Sequence, residues 1–573
     1  MRINEKNKKT LIIVSIIVLV LATAAITILS FWDPKTKVEF KPAKVVISAD
    51  KQYIKADNLD MVTFTVSAYD ENGKEHKDVQ AVIFVDDLPI SSYRMTSMKN
   101  KTYIVYAMIN NVKSESIEIY TSVEGDLPIL VLDIDMYYTP KDMPLDVKVD
   151  SYLKGYFNGT MKLIDNKNGN NHPTDLPKES SNIGIKVRGQ SSAVNPKRSF
   201  TMQLTDEIGG YVDIELLAMP KDHSWVLYAP YNDKSLIRNY VVYNTTSQLM
   251  YAPRCRFADV YITTKAEQGI DSNTYQGVYM ICEKIGRSTE RVQIQKNLVT
   301  DKEPSFITAR DKLKEGEKSM WLWGGDMTFV YPDYEDMQQS QIDYITNYMK
   351  EAEKAILSPD FKDPEKGYRK YFDVDSLIDF CIMQDYFKVA DGFSFSTYFY
   401  KDKGGKLMAG PMWDADYSMG NFNFSKFGIM CDSYREFLIP RTKWISNIFL
   451  DPYFSQKYVE RYKELRKTVI NTENVLQMID EANEIVSNAS VRNFIRWPEI
   501  YNNEEKDLWP NPKGSRWTGS LQEEINVMKE WVVKRGEWMD QNIDKLTDQQ
   551  YIYNIGTIGE PKDAEKRERK TEN

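Results

Sequence analysis

Residues 390–421 read ADGFSFSTYFYKDKGGKLMAGPMWDADYSMGN, and the pairing of this stretch decides where its charged side chains fall. Phe393 to Tyr400 is aromatic and alternating, and Leu407 to Trp413 resumes an apolar pattern. Between them, Lys401-Asp402-Lys403-Gly404-Gly405-Lys406 is a hairpin turn signal. A register that sets Tyr400 opposite Leu407 puts Phe393 across from Asp414 and Asp391 across from Asp416, to within a residue or two. The hairpin over 393–416 therefore brings Asp391 and the Asp414/Asp416 pair to the same open end. If the strand persists, Asp414 and Asp416, two apart, point to one face.

Three carboxylates held that close repel one another unless a cation or a raised pKa offsets the charge. A hard divalent ion with oxygen ligands is the simplest remedy, and Mg²⁺ typically takes one or two carboxylates together with substrate phosphates. Asp391, on the other strand, is then free to receive a proton from an attacking hydroxyl. That is the division of labour of phosphoryl transfer, with a base Asp before a hairpin and a metal-holding Asp beyond it. A D-x-D pair alone more often marks a solvated turn or a calcium loop; the hairpin, with Trp413 and Gly420 flanking the pair, brings the metal reading level with those.

A nucleotide also needs cations and close backbone. Lys186-Val187-Arg188-Gly189-Gln190-Ser191-Ser192 followed by Pro196-Lys197-Arg198-Ser199-Phe200 offers a strand, a polar loop and a second strand, with Arg188 and Lys197 beside the loop. It is neither a Walker loop nor a GxGxxG, and an ordinary surface hairpin has the same pattern. Gly277 to Lys284 is an apolar strand that ends in adjacent opposite charges, Glu283 and Lys284. Glu283 pairs with a phosphate-binding lysine in one reading and solvates a strand end in the other.

Outward from these motifs, the order of elements is read from hydrophobic period. Strands are expected at 183–188, 198–204, 256–264 and 275–285, and a helix from Lys234 to Met250 capped by Asp233. Helices follow at 340–357, 374–389, 453–470, 473–489 and 520–545. A strand-rich half followed by a helix-rich half over 127–545 predicts an α+β domain of two lobes with a cleft between them. Before it, residues 43–123 carry short alternating segments at a spacing near ten residues, the pattern of an all-β, immunoglobulin-like sandwich. Residues 546–573 read as a charged tail.

The N-terminus sets the expected compartment. Residues 1–10 carry Arg2, Lys6, Lys8 and Lys9, and residues 11–31 are uncharged and apolar, long enough for a hydrocarbon core of about 30 Å. The positive-inside rule predicts a single-pass signal-anchor in the cell membrane with the N-terminus cytoplasmic, a stalk at 32–42 and an extracellular body. The apolar run continues past Ala22-Thr23-Ala24, which favours retention over cleavage.

Composition removes several classes. With 74 Lys+Arg against 83 Asp+Glu the net charge is −9, so no broad basic field exists for nucleic acid. Three histidines, His76, His172 and His223, show no HExxH spacing, and no GxSxG elbow accompanies them. Cys255, Cys282, Cys381 and Cys431 are too few and too scattered for a disulfide scaffold and are expected in cores. The 11 Trp and 36 Tyr, with paired acids, leave a glycan contact open as an alternative. The hairpin holds those acids closer than the roughly 6.5–9.5 Å an inverting glycosidase needs.

Taken together, RGQSS (188–192), PKRSF (196–200), WVLYAPYNDKSLIRN (225–239), APRCRFADVYI (252–262), GVYMICEKI (277–285), DGFSFSTYFYKD (391–402) and GPMWDADYSMGN (410–421) resemble the CotH family of atypical secreted or surface protein kinases, first associated with spore coats. The resemblance covers roughly 127–545. It implies a two-lobed atypical protein-kinase-like fold that binds ATP with Mg²⁺ (or Mn²⁺) and phosphorylates Ser/Thr of protein substrates. It implies further that Asp391 is the catalytic Asp, that Asp414 and Asp416 hold the metal, and that Arg188 and Lys197 are basic positions of the nucleotide lobe. One departure is Lys388-Val389-Ala390, where relatives carry an Asn shortly before the catalytic Asp. A non-catalytic scaffold on the same fold is the rival expectation.

Overall fold

The computed structural model describes residues 41–556 apart from 57, 78, 99–100, 123–124, 135–155, 167–168, 190–191, 265–269, 271–273, 312–316 and 502–517. The expected cytoplasmic segment, signal-anchor and most of the stalk lie outside the described residues. Among those described, no helix is long and apolar enough to cross a membrane. The chain divides into two compact units, Met1–Val123 and Glu124–Asn573.

In the first unit, alternation dictates the architecture. Val62, Phe64, Val66 and Ala68 point to one side of the strand Val62–Tyr69 and are buried. That strand pairs with Lys44–Ala49 on one edge and Glu75–Lys77 on the other. A second sheet orders Tyr53–Lys55, Ile117–Ser122, Lys101–Ile109, Val82–Val85 and Leu88–Ile90. Val45, Ile47, Phe64 and Val66 of the first sheet share one core with Ile83, Val105, Ala107 and Ile119 of the second. The all-β expectation for 43–123 is met as two sheets around one core.

The second unit begins with a closed seven-stranded barrel. Its order is Ile129–Ile134, Phe157–Ile164, Glu179–Arg188, Ser199–Thr205, Ser224–Tyr228, Tyr275–Glu283 and Cys255–Thr263, the last closing in parallel on the first. Inward residues Leu130, Leu132, Met161, Ile185, Met202, Leu204, Trp225 and Ile281 fill it. The four strands expected here are present within a few residues. Strands 129–134, 157–164 and 224–228 were not expected; the first and the last are short buried runs, which show no period by which to recognise them.

A five-stranded sheet follows, in the order Ser319–Leu322, Gly325–Tyr331, Phe306–Arg310, Thr397–Lys401 and Leu407–Ala409. The helices Gln339–Leu357, Val374–Tyr386, Lys443–Phe449, Pro452–Leu465, Thr472–Arg496 and Leu521–Asn542 complete the unit, Thr472–Arg496 packing on barrel strand 275–283. Their starts are written locally: Asp373 accepts from Ser376 N–H at 2.8 Å, and Asp451 precedes Pro452 and accepts from Tyr453 N–H at 3.1 Å. The α+β class holds.

Three expectations need correction. The helix expected over 234–250 is only Arg238–Thr246. Asp233 spends both carboxylate oxygens on a turn, accepting from Ser235 N–H at 3.0 Å and Arg238 N–H at 2.9 Å, and Leu236 takes a left-handed φ of 66°. The hairpin pairs Tyr400 with Met408 and Lys401 with Leu407, one residue from the expected register. That slip is forced because it sets buried Phe399 against buried Ala409. The chain also stays folded beyond 545: Leu546 is buried, and Gln549–Gly556 is a helix with Ile552 and Ile555 buried, so a tail begins no earlier than 557.

Candidate functional site

The strand after the hairpin stops at Ala409, so pleating does not aim Asp414 and Asp416. Asp414 instead turns the chain with a left-handed φ of 58°. The segment 387–391, leaving the end of helix 374–386, runs beside 417–419. Ala390 N–H donates to the Tyr417 carbonyl at 2.8 Å, and Met419 N–H donates to the Phe387 carbonyl at 2.9 Å. These two backbone bonds bring Asp391 to the Asp414/Asp416 pair. Lys388, Phe393, Ser396 and Met419 also hold positive φ, at 51°, 57°, 49° and 45°. Such conformations cost free energy in non-glycine residues and concentrate where side chains must be aimed against the local preference.

The carboxylates have few protein donors. Ser396 Oγ donates to Asp414 at 3.0 Å and Tyr228 Oη to Asp416 at 3.0 Å. Lys426 Nζ lies 3.4 Å from Asp391 and also donates to the Ala390 carbonyl. Burial, then the charge of Asp391, pushes the Asp414 carboxyl up to about 6; Ser396 and Arg188 pull it down, and Asp311 raises it further. Burial also lifts Asp416 well above the usual carboxylate range, with Asp414, Asp233 and Asp391 adding repulsion against the Tyr228 hydrogen bond. An all-oxygen donor set whose negative charges raise one another suits a hard divalent ion. Arg188 belongs to this neighbourhood: its guanidinium lies 4.8 Å from the Trp413 ring centroid, and its charge draws down the pKa of Tyr398 as well as that of Asp414.

The family model for CotH kinase protein matches residues 185–539, more than half of the chain. The chain belongs to the CotH kinase family. A search of curated proteins finds no match.

Of the seven site positions expected from the sequence, the structure gathers Asp391, Asp414, Asp416 and Arg188. The other three stand in different company. Lys197 is buried, donating to the Val278 carbonyl at 2.6 Å and to Asn493 Oδ1 at 2.7 Å, so its ammonium contacts the helix 472–496 rather than the aspartates. Burial pulls its pKa well below that of a free lysine. Glu283 is buried and accepts from Arg254 at 2.9 Å, from Tyr251 Oη at 3.1 Å and from Arg254 N–H at 3.0 Å, with Arg291 at 3.9 Å. Neither of its two readings holds: among the described residues its partners are arginines and a tyrosine rather than a lysine, and it is not solvated at the strand end but buried there in ion pairs. Lys284 follows it, its carbonyl accepting from Arg291 at 2.7 Å. Gly189, with φ 97°, turns the chain after Arg188, but Gln190 and Ser191 of the proposed phosphate loop lie outside the described residues.

Tyr228, Asn239, Tyr243, Ser396 and Lys426 were not anticipated. Three of them sit in WVLYAPYNDKSLIRN or just after it, some 170 residues before the aspartates they support. No local spacing links them. A further group, Asp213, Asp222 and His223, sets ligand atoms within 4.8 Å of one another. Its members already have protein partners: His223 lies 2.9 Å from Asp213, and Asp222 accepts from Ser224 N–H at 2.8 Å and faces Arg291 at 3.3 Å. The four cysteines are free and buried, as expected.

Proposed function

We propose that this CotH protein is a membrane-anchored, extracytoplasmic kinase that transfers the γ-phosphate of ATP to Ser/Thr of surface or secreted proteins. Asp414 and Asp416 hold Mg²⁺ or Mn²⁺, which supplies charge neutralisation at the phosphates. Asp391 orients the acceptor hydroxyl and takes its proton, while Lys426 beside it holds the carboxylate in place. Arg188, close enough to Asp414 to lower its pKa, supplies positive charge toward the phosphates. The 11–31 segment anchors the chain, and the two-sheet N-terminal unit serves as an immunoglobulin-like spacer that also offers a surface to cell-surface glycans. The observation that carries the reading is the Asp391/Asp414/Asp416 cluster, in which burial and the neighbouring carboxylates raise the pKa of Asp414 and Asp416 and which the protein supplies with few cations.

A non-catalytic scaffold is favoured by one observation, the engagement of Lys197 by Val278 and Asn493. The experiment that separates the two uses full-length protein in detergent, γ-labelled ATP, Mn²⁺ and Ser-rich acceptor peptides, beside Asp391→Asn. A kinase transfers label and loses it by roughly 10²–10⁴-fold in the variant. An ATP-dependent rise in melting temperature without label in either protein selects the scaffold.

A further inference from the structure

Asp414 carries its carboxylate on a left-handed backbone, φ 58°, a conformation that costs an L-residue about 1–2 kcal/mol. Something must hold it there. Three residues of one helix, Arg238–Thr246, reach across to that segment of backbone. Asp414 N–H donates to Tyr243 Oη at 2.9 Å. Ala415 N–H, the next donor along, gives to Asn239 Oδ1 at 2.6 Å. Arg238 Nε then donates to the Ser418 carbonyl at 3.1 Å, and its Nη2 reaches the Met419 carbonyl at 3.5 Å. Asn239 and Tyr243 are four apart, so they share a helix face, and both are buried. Tyr243 also stacks on Trp413, with ring centroids 5.9 Å apart.

The consequence is directional. Consecutive N–H groups of Asp414 and Ala415 are drawn to the helix, while the Asp414 carboxylate meets Ser396, and the Asp416 carboxylate meets Tyr228. We propose that Asn239 and Tyr243 are positioning residues that preset the Asp414 and Asp416 carboxylates for a divalent cation, by accepting the two backbone N–H groups of the turn between them. The inference rests on the metal reading of Asp414 and Asp416. It adds that their geometry is built before any ion arrives, by a helix from the other end of the motif set. Preorganisation of this kind lowers what ion binding must spend on ordering the ligands.

The test is Mn²⁺ binding to the full-length protein by titration calorimetry, with the melting temperature of the metal-free protein measured in parallel. Four variants are compared with wild type: Asp414→Asn, Tyr243→Phe, Asn239→Leu and, as a packing control on the same helix, Val242→Ala. Val242 is buried and touches none of the hydrogen bonds above. We expect wild type to bind Mn²⁺ and Asp414→Asn to lose binding. Tyr243→Phe and Asn239→Leu each weaken it by about tenfold, the order of one lost buried hydrogen bond. Val242→Ala lowers the melting temperature but leaves Mn²⁺ affinity unchanged. Wild-type affinity in Tyr243→Phe and Asn239→Leu, with Asp414→Asn inactive in binding, overturns the positioning role and leaves the metal reading standing. An equal loss in Val242→Ala overturns it too, because the effect is then one of general stability. Absence of Mn²⁺ binding in wild type overturns both. If Asn239→Leu fails to fold, Tyr243→Phe, which removes one hydroxyl and keeps the ring, decides alone.

Discussion

Two acidic clusters of the second unit stand in contrast. At the end of strand 275–283, Glu283 is surrounded by Arg254, Arg291 and Tyr251. At the turn after the hairpin, Asp414 and Asp416 are surrounded chiefly by one another, by Asp391, and by Asp233 and Asp311. The first cluster is complete within the protein. The second is left with excess charge in a setting where burial makes that charge expensive. A third, the Asp233–Arg238–Glu524 triad, shows how closely the two kinds sit. Arg238 faces Asp233 and Glu524, at 2.7 Å from the latter, while Asp233 still adds to the repulsion on Asp416. The lesson is that burial of a carboxylate says little by itself; the sign of its neighbours separates a structural group from one prepared for a cation.

The contrast can be broken most forcefully at Arg238. Replacing it with Met strands two buried carboxylates and drops its bonds to Ser418 and Met419, an expected loss of about 3–5 kcal/mol in urea unfolding. A loss below about 1 kcal/mol would mean that the triad is not held as described.

Asp416→Asn acts in the opposite direction. It removes a repelled charge while keeping an oxygen for Tyr228. The metal-free variant is expected to melt a few degrees above wild type, and the rise that Mn²⁺ gives wild type is expected to vanish. A metal-free variant that melts lower would place Asp416 among the self-satisfied acids, with Glu283.

The smallest expected effect tests a buried cation. Lys388 donates to the carbonyls of Met430, Ser433 and Arg435 at 2.9, 2.7 and 2.7 Å, tying that loop under the Asp391 turn. Burial, with Arg535 next, draws its pKa from 10.5 to about 7. Above pH 7 the unfolded chain keeps this proton while the folded chain releases it, so the unfolded state binds more protons and stability rises with pH. Between about pH 7 and about pH 8.5 the wild type should gain on Lys388→Met by up to about 1.4 kcal/mol per pH unit, measured by urea unfolding. A pH-independent difference would mean that the three carbonyls keep the ammonium charged.

Much of the site was legible in the sequence, for reasons that are local. Alternating aromatics and a Gly-Gly turn specify a hairpin whatever surrounds it, and its two ends return to the same neighbourhood, where the backbone bonds of Ala390 to Tyr417 and Met419 to Phe387 complete the approach of Asp391 to Asp414. The register was one residue off because it depends on which face is buried, and Phe399 and Ala409 settled that through the core. Lys197 and Glu283 look in sequence like cations and anions of a nucleotide lobe. Their partners, Asn493 from 296 residues away and Arg291 from the loop after the strand, are supplied by the fold.

The sequence by itself determined the α+β class, the all-β character of 43–123, the kinase-family motifs and the pairing of Asp391 with the D-x-D segment. These follow from periodicity and turn chemistry, which act over a few residues. The tertiary structure alone decided that the first strands of the second unit close into a barrel and that Asp414 is left-handed. It also decided that helix 238–246 supplies the acceptors for Asp414 and Ala415. Each of these depends on which buried N–H finds which acceptor, and a buried donor must be satisfied by whatever the fold brings beside it, at any distance along the chain.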